Sequence, residues 1–151
     1  MSYVFGPSGG VGGGAYSAPV PTSGGGPWRI SGVQGRSGSR IDQIEIVWSS
    51  PGGSQSSDQF GGDGGSPFQF AIPDKDYLTL ISGTVGINNG SVVLYSLQFF
   101  TQNGNKSPVF GSATSTPFNF QCPPGYQISG IFGRSGSAVD ALGVYLDPIP
   151  A

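Results

Sequence analysis

Two short phrases alternate three times along the chain, and this internal repeat constrains the fold more than any other feature of the sequence. One phrase opens with Phe-Gly and the other with Ile-Ser-Gly; they begin at Phe5, Ile30, Phe60, Ile81, Phe110 and Ile128. The period of about 50 residues is typical of folds built from copies of one supersecondary unit. We therefore predict three units, each with a glycine-rich loop, a strand, an Ile-Ser-Gly strand, a turn and a last strand.

The last strand of each unit shows an alternating pattern. Apolar side chains recur at every second position in residues 41–48, 92–101 and 139–146, as in a β-strand with one buried face. About four short strands cannot bury both faces of their own sheet, so we expect three sheets to share one core. The predicted inward residues are Ile44, Ile46, Trp48, Leu97, Phe99, Leu142, Val144 and Leu146.

Composition supports an all-β chain. The 28 Gly and 13 Pro among 151 residues disfavour helices, and we predict none. The length suits a single domain that spans residues 1–151. Residues 17–27 and 49–57 are rich in Ser, Gly and Pro and are expected to be surface loops.

Several classes of function are disfavoured by what the sequence lacks. The chain has no His, which removes His-based catalytic triads and His-ligated metal sites, and its single Cys122, structural or simply free, rules out an internal disulfide. A net charge of −2 offers no basic surface for nucleic acid. No apolar run approaches the length of a membrane span. No signal peptide is visible, so we expect cytoplasmic synthesis, or release by a route that needs none.

A five-residue pattern, Gly-x-x-x-Asp, occurs at matching places in two of the three units. Residues 136–140 read Gly-Ser-Ala-Val-Asp, and residues 38–42 read Gly-Ser-Arg-Ile-Asp. A carboxylate can accept hydrogen bonds from two adjacent sugar hydroxyls, and successive N–H groups in a turn form a concave donor site. One such pattern is weak evidence, since Asp often only caps a turn. Two copies in register predict two sites for a hydroxylated ligand.

The remaining unit departs from this pattern. Leu94 takes the place of the acid by simple spacing, and Tyr95 takes it by strand register; neither is a carboxylate. Its loop, residues 110–118, has also lost the double glycines. Because both halves of the site are missing, we predict two sites rather than three.

Charged residues near the turns suggest supporting roles. Arg36 and Arg134 occupy matching positions and are expected to brace the turns, whereas Asp63 is expected to be a solvated turn residue. Arg40 has Ala138 as its counterpart. Two interpretations of Arg40 stay open, extra reach toward a ligand or a solvated side chain, and we favour the second.

The chain resembles the jacalin-related lectins along essentially its whole length. The motifs that carry this resemblance are residues 60–68 (FGGDGGSPF), 76–83 (DYLTLISG), 92–101 (VVLYSLQFFT), 110–118 (FGSATSTPF) and 133–146 (GRSGSAVDALGVYL). The family has the β-prism I fold, so the resemblance implies an all-β chain with three Greek-key, four-stranded sheets around a pseudo-threefold axis. The Q-x-D-x-N-x-V-x-Y motif of the monocot mannose-binding lectins is absent.

By resemblance, each Gly-x-x-x-Asp turn faces a glycine loop and binds a sugar without metal or cofactor. One predicted site comprises Gly13, Gly136, Ser137, Ala138 and Asp140. The other comprises Gly38, Ser39, Arg40, Asp42 and Gly65. In each, N–H groups of the turn donate to sugar oxygens and the carboxylate accepts from two hydroxyls.

The resemblance also narrows the ligand. Galactose-binding members use a proteolytically freed N-terminus and aromatic residues in the loop; here the chain is continuous, and Ser137 and Ser39 stand among non-aromatic neighbours. We therefore expect mannose- or glucose-containing glycans or glycoproteins as partners, with avidity from two sites. A homodimer or higher homo-oligomer is left open.

Two alternatives to a lectin are weighed. A structural or protein-interaction β-prism with decayed sugar sites is the main one; intact Asp42 and Asp140 argue against it. An enzyme is weaker still, because a glycosidase needs two carboxylates close across one bond, and these two belong to different repeat units.

Overall fold

The structure, a computed structural model, describes residues 3–22 and 25–150. These residues form twelve strands and no helix, and therefore no helix that could span a membrane. The strands are β1 (Tyr3–Gly9), β2 (Gly14–Ala18), β3 (Arg29–Ser37), β4 (Ile41–Ser49), β5 (Gln55–Gly61), β6 (Ser66–Ala71), β7 (Leu78–Asn88), β8 (Ser91–Thr101), β9 (Phe110–Gly111), β10 (Thr116–Gln121), β11 (Tyr126–Ser135) and β12 (Val139–Pro148).

The strands form three antiparallel sheets of four strands each. Sheet I has the order β1-β12-β11-β2, sheet II has β5-β4-β3-β6, and sheet III has β10-β7-β8-β9. In sheets II and III the fourth strand returns beside the first, which is the Greek-key arrangement. Sheet I has the same order, but its four strands come from the two ends of the chain.

The sheets do not coincide with the predicted repeat units. Each unit was expected to begin with its glycine loop, yet β1 and β2, which flank the first loop, pair with β12 and β11. Likewise, β5 and β6 pair with the preceding hairpin of β4 and β3. The prediction was wrong because neighbouring strands joined by a short connection pair with each other, so the second and third glycine loops join the Ile-Ser-Gly hairpin before them. The first loop has no hairpin before it and joins the last one, β11 and β12.

The predicted core is confirmed. All eight predicted inward side chains are at most 1% exposed. They lie on β4, β8 and β12, the inner strands whose faces turn toward each other between the sheets. Trp48 of sheet II donates from Nε1 to the Ser129 carbonyl of sheet I at 2.8 Å, so the largest core side chain also joins two sheets.

Aromatic pairs close the seams between sheets. Tyr16 stacks on Phe60 at 4.2 Å between ring centroids, and Phe68 stacks on Phe110 at 4.3 Å. These rings come from the Phe-Gly phrases or the strands that follow them. The Phe-Gly phrases therefore contribute both a loop and an aromatic contact between two sheets.

The two predicted surface loops are shorter than expected. Ser17 and Ala18 belong to β2, where Ala18 is fully buried, and residues 55–57 already belong to β5. The sequence pattern missed both strand ends because their side chains are short and mostly polar. Main-chain pairing in a sheet does not require apolar residues. Ser23 and Gly24 of the first predicted loop lie outside the described residues.

Candidate functional site

The first predicted site is built on the turn between β11 and β12. The Gly136 N–H donates to the Ala138 carbonyl at 2.9 Å and closes the turn. Within the described residues, the N–H groups of Ser137 and Ala138 donate to no main-chain carbonyl in this turn. Asp140 follows as the second residue of β12. The turn therefore presents two N–H donors beside one carboxylate.

The first glycine loop, residues 9–13, covers this carboxylate. Its Gly10 N–H donates to the Asp140 carbonyl at 2.8 Å. A Cβ added at Gly12 would lie 2.7 Å from Oδ2 of Asp140, and one at Gly13 would lie 2.8 Å from Oδ1. Gly13 also has a φ of +66°, in the left-handed region that favours glycine. Only a loop without side chains can approach Asp140 this closely.

The second predicted site repeats this geometry on sheet II. Gly38 closes the turn by donating to the Arg40 carbonyl at 3.0 Å, and Gly62 donates to the Asp42 carbonyl at 2.8 Å. A Cβ at Gly65, whose φ is +69°, would lie 2.8 Å from Oδ2 of Asp42. The structure therefore brings together each of the two predicted sets of residues, a turn and a loop distant in sequence.

Both carboxylates are more buried than predicted. We expected them at the mouth of a loop, but Asp42 is 4% exposed and Asp140 is 8% exposed, because the glycine loops lie on them. Neither carboxylate has a fully buried oxygen that lacks a hydrogen-bond partner. No side-chain hydrogen bond to either carboxylate is found within the described residues. Their oxygens keep free acceptor positions that reach solvent.

Asp76 shows how a structural aspartate differs in the same chain. It is 1% exposed, and its carboxylate accepts from the Tyr77 N–H, the Asn103 N–H and the Asn105 amide. Burial alone would raise the pKa of Asp76, but these bonds and one from Thr101 lower it. The carboxylates of Asp42 and Asp140 accept no such hydrogen bonds within the described residues, and the Arg40 guanidinium beside Asp42 is the ion-pair partner of that acid.

The electrostatic setting of Asp140 follows from its burial. Desolvation raises the pKa of this carboxyl above its ordinary value, and the positive charge of Arg134 offsets the rise only in part. Since a carboxyl group accepts hydrogen bonds at both oxygens only when it is ionised, Asp140 loses this capacity at a higher pH than an ordinary aspartate does.

The two arginines have a bracing role as predicted, but they brace the glycine loops rather than the turns. Arg134 donates from Nε to the Gly12 carbonyl at 3.0 Å and from Nη2 to the Gly13 carbonyl at 2.8 Å. Arg36 does the same for the second glycine loop, residues 61–65, through the carbonyls of residues 63, 64 and 65 at 2.7–3.1 Å. Each guanidinium holds its loop in place from the strand beside it. Asp63 is exposed, as predicted.

The favoured interpretation of Arg40 was wrong. Its Nε lies 3.3 Å from Oδ1 of Asp42, and its side chain is only 30% exposed. The carboxylate beneath it attracts the guanidinium out of solvent. Ala138 takes the same place beside Asp140 and is 6% exposed, so the second site carries a cation that the first lacks.

The third unit is closed by its own side chains. Tyr95 takes the place of the acids by register, because its carbonyl accepts from the N–H of Ser112 in the third loop, as those of Asp42 and Asp140 accept from Gly62 and Gly10. The Tyr95 hydroxyl then donates to the Ile87 carbonyl at 2.8 Å. This arrangement supports two sites rather than three.

The Ile-Ser-Gly phrase is also out of register in this unit. Gly83 lies opposite Leu97 and Phe118, the place that Gly35, not Gly32, takes on sheet II. The phrase is therefore shifted by three residues. The β7–β8 hairpin extends further to a tight turn at Asn89 and Gly90, with φ of 51° and 81°.

The loops interlock around one end of the molecule, which the sequence did not indicate. A Cβ at Gly62 would lie 2.4 Å from the Ser137 carbonyl oxygen, and one at Gly10 would lie 2.1 Å from that of Val92. The first and second glycine loops therefore contact a neighbouring sheet as well as their own turn. The doubled glycines in each loop were the one sequence feature that indicated this contact, because a sugar site needs only the glycines that face its own carboxylate.

The arrangement is suited to binding rather than catalysis. Asp42 and Asp140 lie in separate turns on separate sheets. Within residues 3–22 and 25–150, no group of three or more His, Cys, Asp or Glu could hold a metal ion. Each turn offers one carboxylate and main-chain donors, and the glycines that lie on each acid carry no side chain.

Comparison with known proteins gives consistent matches. Residues 5–145 match the family described as the jacalin-like lectin domain. Horcolin of Hordeum vulgare is 33% identical over 124 residues, which cover 81% of this chain and 84% of that protein. The jacalin-related lectin Calsepa of Calystegia sepium is 37% identical over 108 residues, covering 68% and 70%.

Solved structures agree with the sequence matches. Malaysian banana lectin has a TM-score of 0.85 at 32% identity, covering 99% of this chain and 100% of that one. Calsepa lectin in complex with a biantennary N-glycan has a TM-score of 0.83 at 29% identity, covering 99% and 98%. The mannose-binding jacalin-related lectin AcmJRL from Ananas comosus has 0.79 at 29%, covering 98% and 99%. The expected β-prism I fold is confirmed.

Proposed function

Because this chain belongs to the jacalin-like lectin family, we propose that it binds mannose- or glucose-containing glycans at the turns of residues 38–42 and 136–140. Each turn takes one sugar. The carboxylate accepts from two adjacent hydroxyls, and the N–H groups of the turn donate to ring or hydroxyl oxygens. The protein binds the sugar without changing it chemically, and no metal takes part.

The observation that carries this proposal is that both carboxylates lie under glycine loops and accept no side-chain hydrogen bond within the described residues, although Arg40 forms an ion pair with Asp42. Asp140 is 8% exposed and lies under Gly12 and Gly13, yet it accepts no side-chain hydrogen bond within the described residues. A buried charge without partners is costly. A ligand hydroxyl pair satisfies it with charge-assisted hydrogen bonds.

The sugar class is supported by two relatives and by the residue types in the turns. The Ananas comosus lectin is mannose-binding, and Calsepa lectin holds an N-glycan. Galactose-binding members of the family have aromatic residues in this loop, and this chain has Ser137 and Ser39 among non-aromatic neighbours. We therefore propose selectivity for hexoses whose O4 is equatorial.

Useful affinity then comes from multivalency. A shallow site with one carboxylate and a few N–H donors should hold a monosaccharide with a Kd on the order of millimolar, or about −4 kcal/mol. Two sites on different sheets can engage two branches of one glycan or two glycans on one surface. Avidity can then exceed the affinity of one site by about 10² to 10⁴.

Calorimetry on matched variants tests the assignment. Asp140→Asn and Asp42→Asn keep the side-chain shape but remove the charge, so each should eliminate one of two binding events for methyl mannoside. The loss should be about 1.5–3 kcal/mol per site. Asp63→Asn, in the exposed second loop, is the matched control and should bind normally. A double variant that still binds methyl mannoside would refute the site assignment.

Three further measurements separate this function from its alternatives. Clustered mannosides should bind far more tightly than the monosaccharide, and either single variant should lose most of that gain. Binding should survive EDTA and resist competition by galactose. If a glycan array showed no binding to any mannose- or glucose-containing glycan, the structural β-prism would be the better description.

A further inference from the structure

The outer face of sheet II carries a polar depression of about 700 Å³. Its lining includes four long polar side chains from β3, β4 and β6, which we call the sheet II shelf: Gln34, Gln43, Glu45 and Gln69. They alternate along their strands with core residues such as Ile44 and Phe68, so they belong to the face directed away from the core.

Two hydrogen bonds order the shelf without using all its groups. Gln34 donates from Nε2 to Oε1 of Glu45 at 2.8 Å, and Gln43 donates from Nε2 to the Gly62 carbonyl at 3.2 Å. An amide has two donor hydrogens and a two-lone-pair oxygen, and a carboxylate has two acceptor oxygens. Further positions therefore stay available on the half-buried Gln34 and Glu45, whereas Gln43 is only 8% exposed. The exposed Gln69 adds another amide.

The shelf adjoins the second glycine loop, which covers Asp42, although Asp42 itself does not line the depression. Arg36 and Asp63 line the depression, and Arg36 also holds the carbonyls of the second glycine loop above Asp42. The row at the turn pairs Ser37 with Ser66, and the row at the shelf pairs Gln34 with Gln69. These rows are three residues apart, or about 10 Å along the strand. That distance exceeds one sugar ring but suits a short oligosaccharide.

Sheet I has no such shelf beside Asp140. There Phe132 pairs with Gly143 and Ser17, as Gln34 pairs with Glu45 and Gln69 on sheet II. The Phe132 ring covers this row: a Cβ at Gly143 would lie 2.4 Å from it, and it packs on Tyr145 at 5.0 Å between centroids. Aromatic side chains fill the face that amides line on sheet II.

Sheet III has only a partial equivalent. Ser82 pairs there with Gln98 and Asn119, and Gln98 is bound to the Ser107 carbonyl at 2.8 Å. The neighbouring turn holds Tyr95 instead of an acid, so no sugar site lies beside this row. A long polar row and an open Asp site coincide on sheet II.

We propose that the sheet II shelf is an extended subsite for the saccharide residues that follow a terminal mannose bound at Asp42. Planar amides and a carboxylate in one row match the alternating donors and acceptors of sugar hydroxyls. The inference rests on the proposed function. It makes the two sites unequal: the Asp140 site reads one terminal sugar, and the Asp42 site reads a short oligosaccharide.

The test uses each site in isolation. With Asp140→Asn, only the Asp42 site remains, and calorimetry compares methyl mannoside with a linear mannotriose. We expect the trisaccharide to bind about tenfold more tightly than the monosaccharide. Adding Gln34→Ala and Gln69→Ala should remove that advantage and leave methyl mannoside unchanged. Asn119→Ala, the equivalent of Gln69 on sheet III, is the control and should change neither ligand.

The outcomes separate the shelf from the primary site. If methyl mannoside does not bind with Asp140→Asn, the proposed function of the Asp42 site fails and the shelf fails with it. Should methyl mannoside bind while mannotriose gains nothing, or keep its gain without Gln34 and Gln69, the shelf alone is refuted. An equal loss in the Asp42→Asn background would also refute it, because only the Asp140 site binds there.

Discussion

The turns at Asp140 and Asp42 have the same backbone arrangement but differ in the side chains that surround each acid. Both have a closed glycine turn, a buried acid and a glycine loop held by an arginine. At the loop tip, Val11 is 90% exposed in the first loop where the second has Asp63; beside the acid, Ala138 corresponds to Arg40. The groups that would touch the first sugar are thus kept, while the groups that meet its surroundings diverge.

The difference suggests that the Asp140 and Asp42 sites have different roles although they share one arrangement. An apolar rim at Asp140 and a charged rim at Asp42 would leave the preference for the terminal sugar equal and alter the response to neighbouring groups.

Gly13→Ala should abolish binding at the Asp140 site and leave the Asp42 site intact. A Cβ there meets the Ser135 carbonyl at 2.4 Å and Asp140 at 2.8 Å, at a φ of +66°. We expect a loss of at least about 100-fold, or about 2.7 kcal/mol. Gly14→Ala is the control, because no atom lies within 4 Å of its added Cβ. Calorimetry that showed both sites weakened equally would mean that they are not independent.

Removing a bracing arginine should weaken its own site by about tenfold, since the loop loses its fixed position over the acid. Arg36→Ala should cost the Asp42 site more than Arg134→Ala costs the Asp140 site, because Arg36 holds three carbonyls and Arg134 holds two. The measurement is mannoside affinity in Asp140→Asn and Asp42→Asn backgrounds. Unchanged affinity in both would show that the glycine loops hold themselves in place.

Acidification should weaken the Asp140 site before it unfolds the protein. The raised pKa of Asp140 means that its carboxyl is protonated at a higher pH than an ordinary aspartate, near 3.9. In the Asp42→Asn variant, affinity should fall about twofold at that raised pKa and about tenfold per pH unit below it. Constant affinity down to about pH 4 would contradict the role of an ionised Asp140.

As the pH is lowered, the protein should stay folded at values where the Asp140 site has already lost affinity. The pKa of Asp76 is lowered in the folded state, so its stabilising contribution is complete above the unfolded value of about 3.9 and is lost only as pH falls through the lower folded value. Thermal melts across the same pH range provide the control. They should show little change where mannoside affinity is already falling.

Arg40→Ala should have the smallest effect. A partly exposed ion pair contributes roughly 0.5 kcal/mol, so methyl mannoside should bind the Asp42 site about twofold more weakly. Ala138→Arg is the reciprocal variant and should change the Asp140 site by a similar factor. If Arg40→Ala abolished binding, Arg40 would be a principal ligand group and the two sites would differ in mechanism.

Much of the fold was predictable because it is written in short-range pattern. Period-2 alternation placed the eight inward residues, and the repeat predicted three four-stranded sheets. The turn residues from Gly38 to Asp42 and from Gly136 to Asp140 were also recognisable, since a glycine turn followed by a strand needs only local sequence. By contrast, the repeat misassigned the sheets, because sequence order does not state which hairpin a loop joins.

An all-β chain, its inward faces and two acids placed after glycine turns depend on residues a few positions apart, so the order of the residues is enough to predict them. The pairing of β1 and β2 with β12 and β11, which brings the first glycine loop onto Asp140 from the other end of the chain, follows only from the packed fold. It also decided the pairing of Arg40 with Asp42 and the shelf on sheet II. These features depend on which surfaces meet in space, and that is set by how three sheets pack around one core.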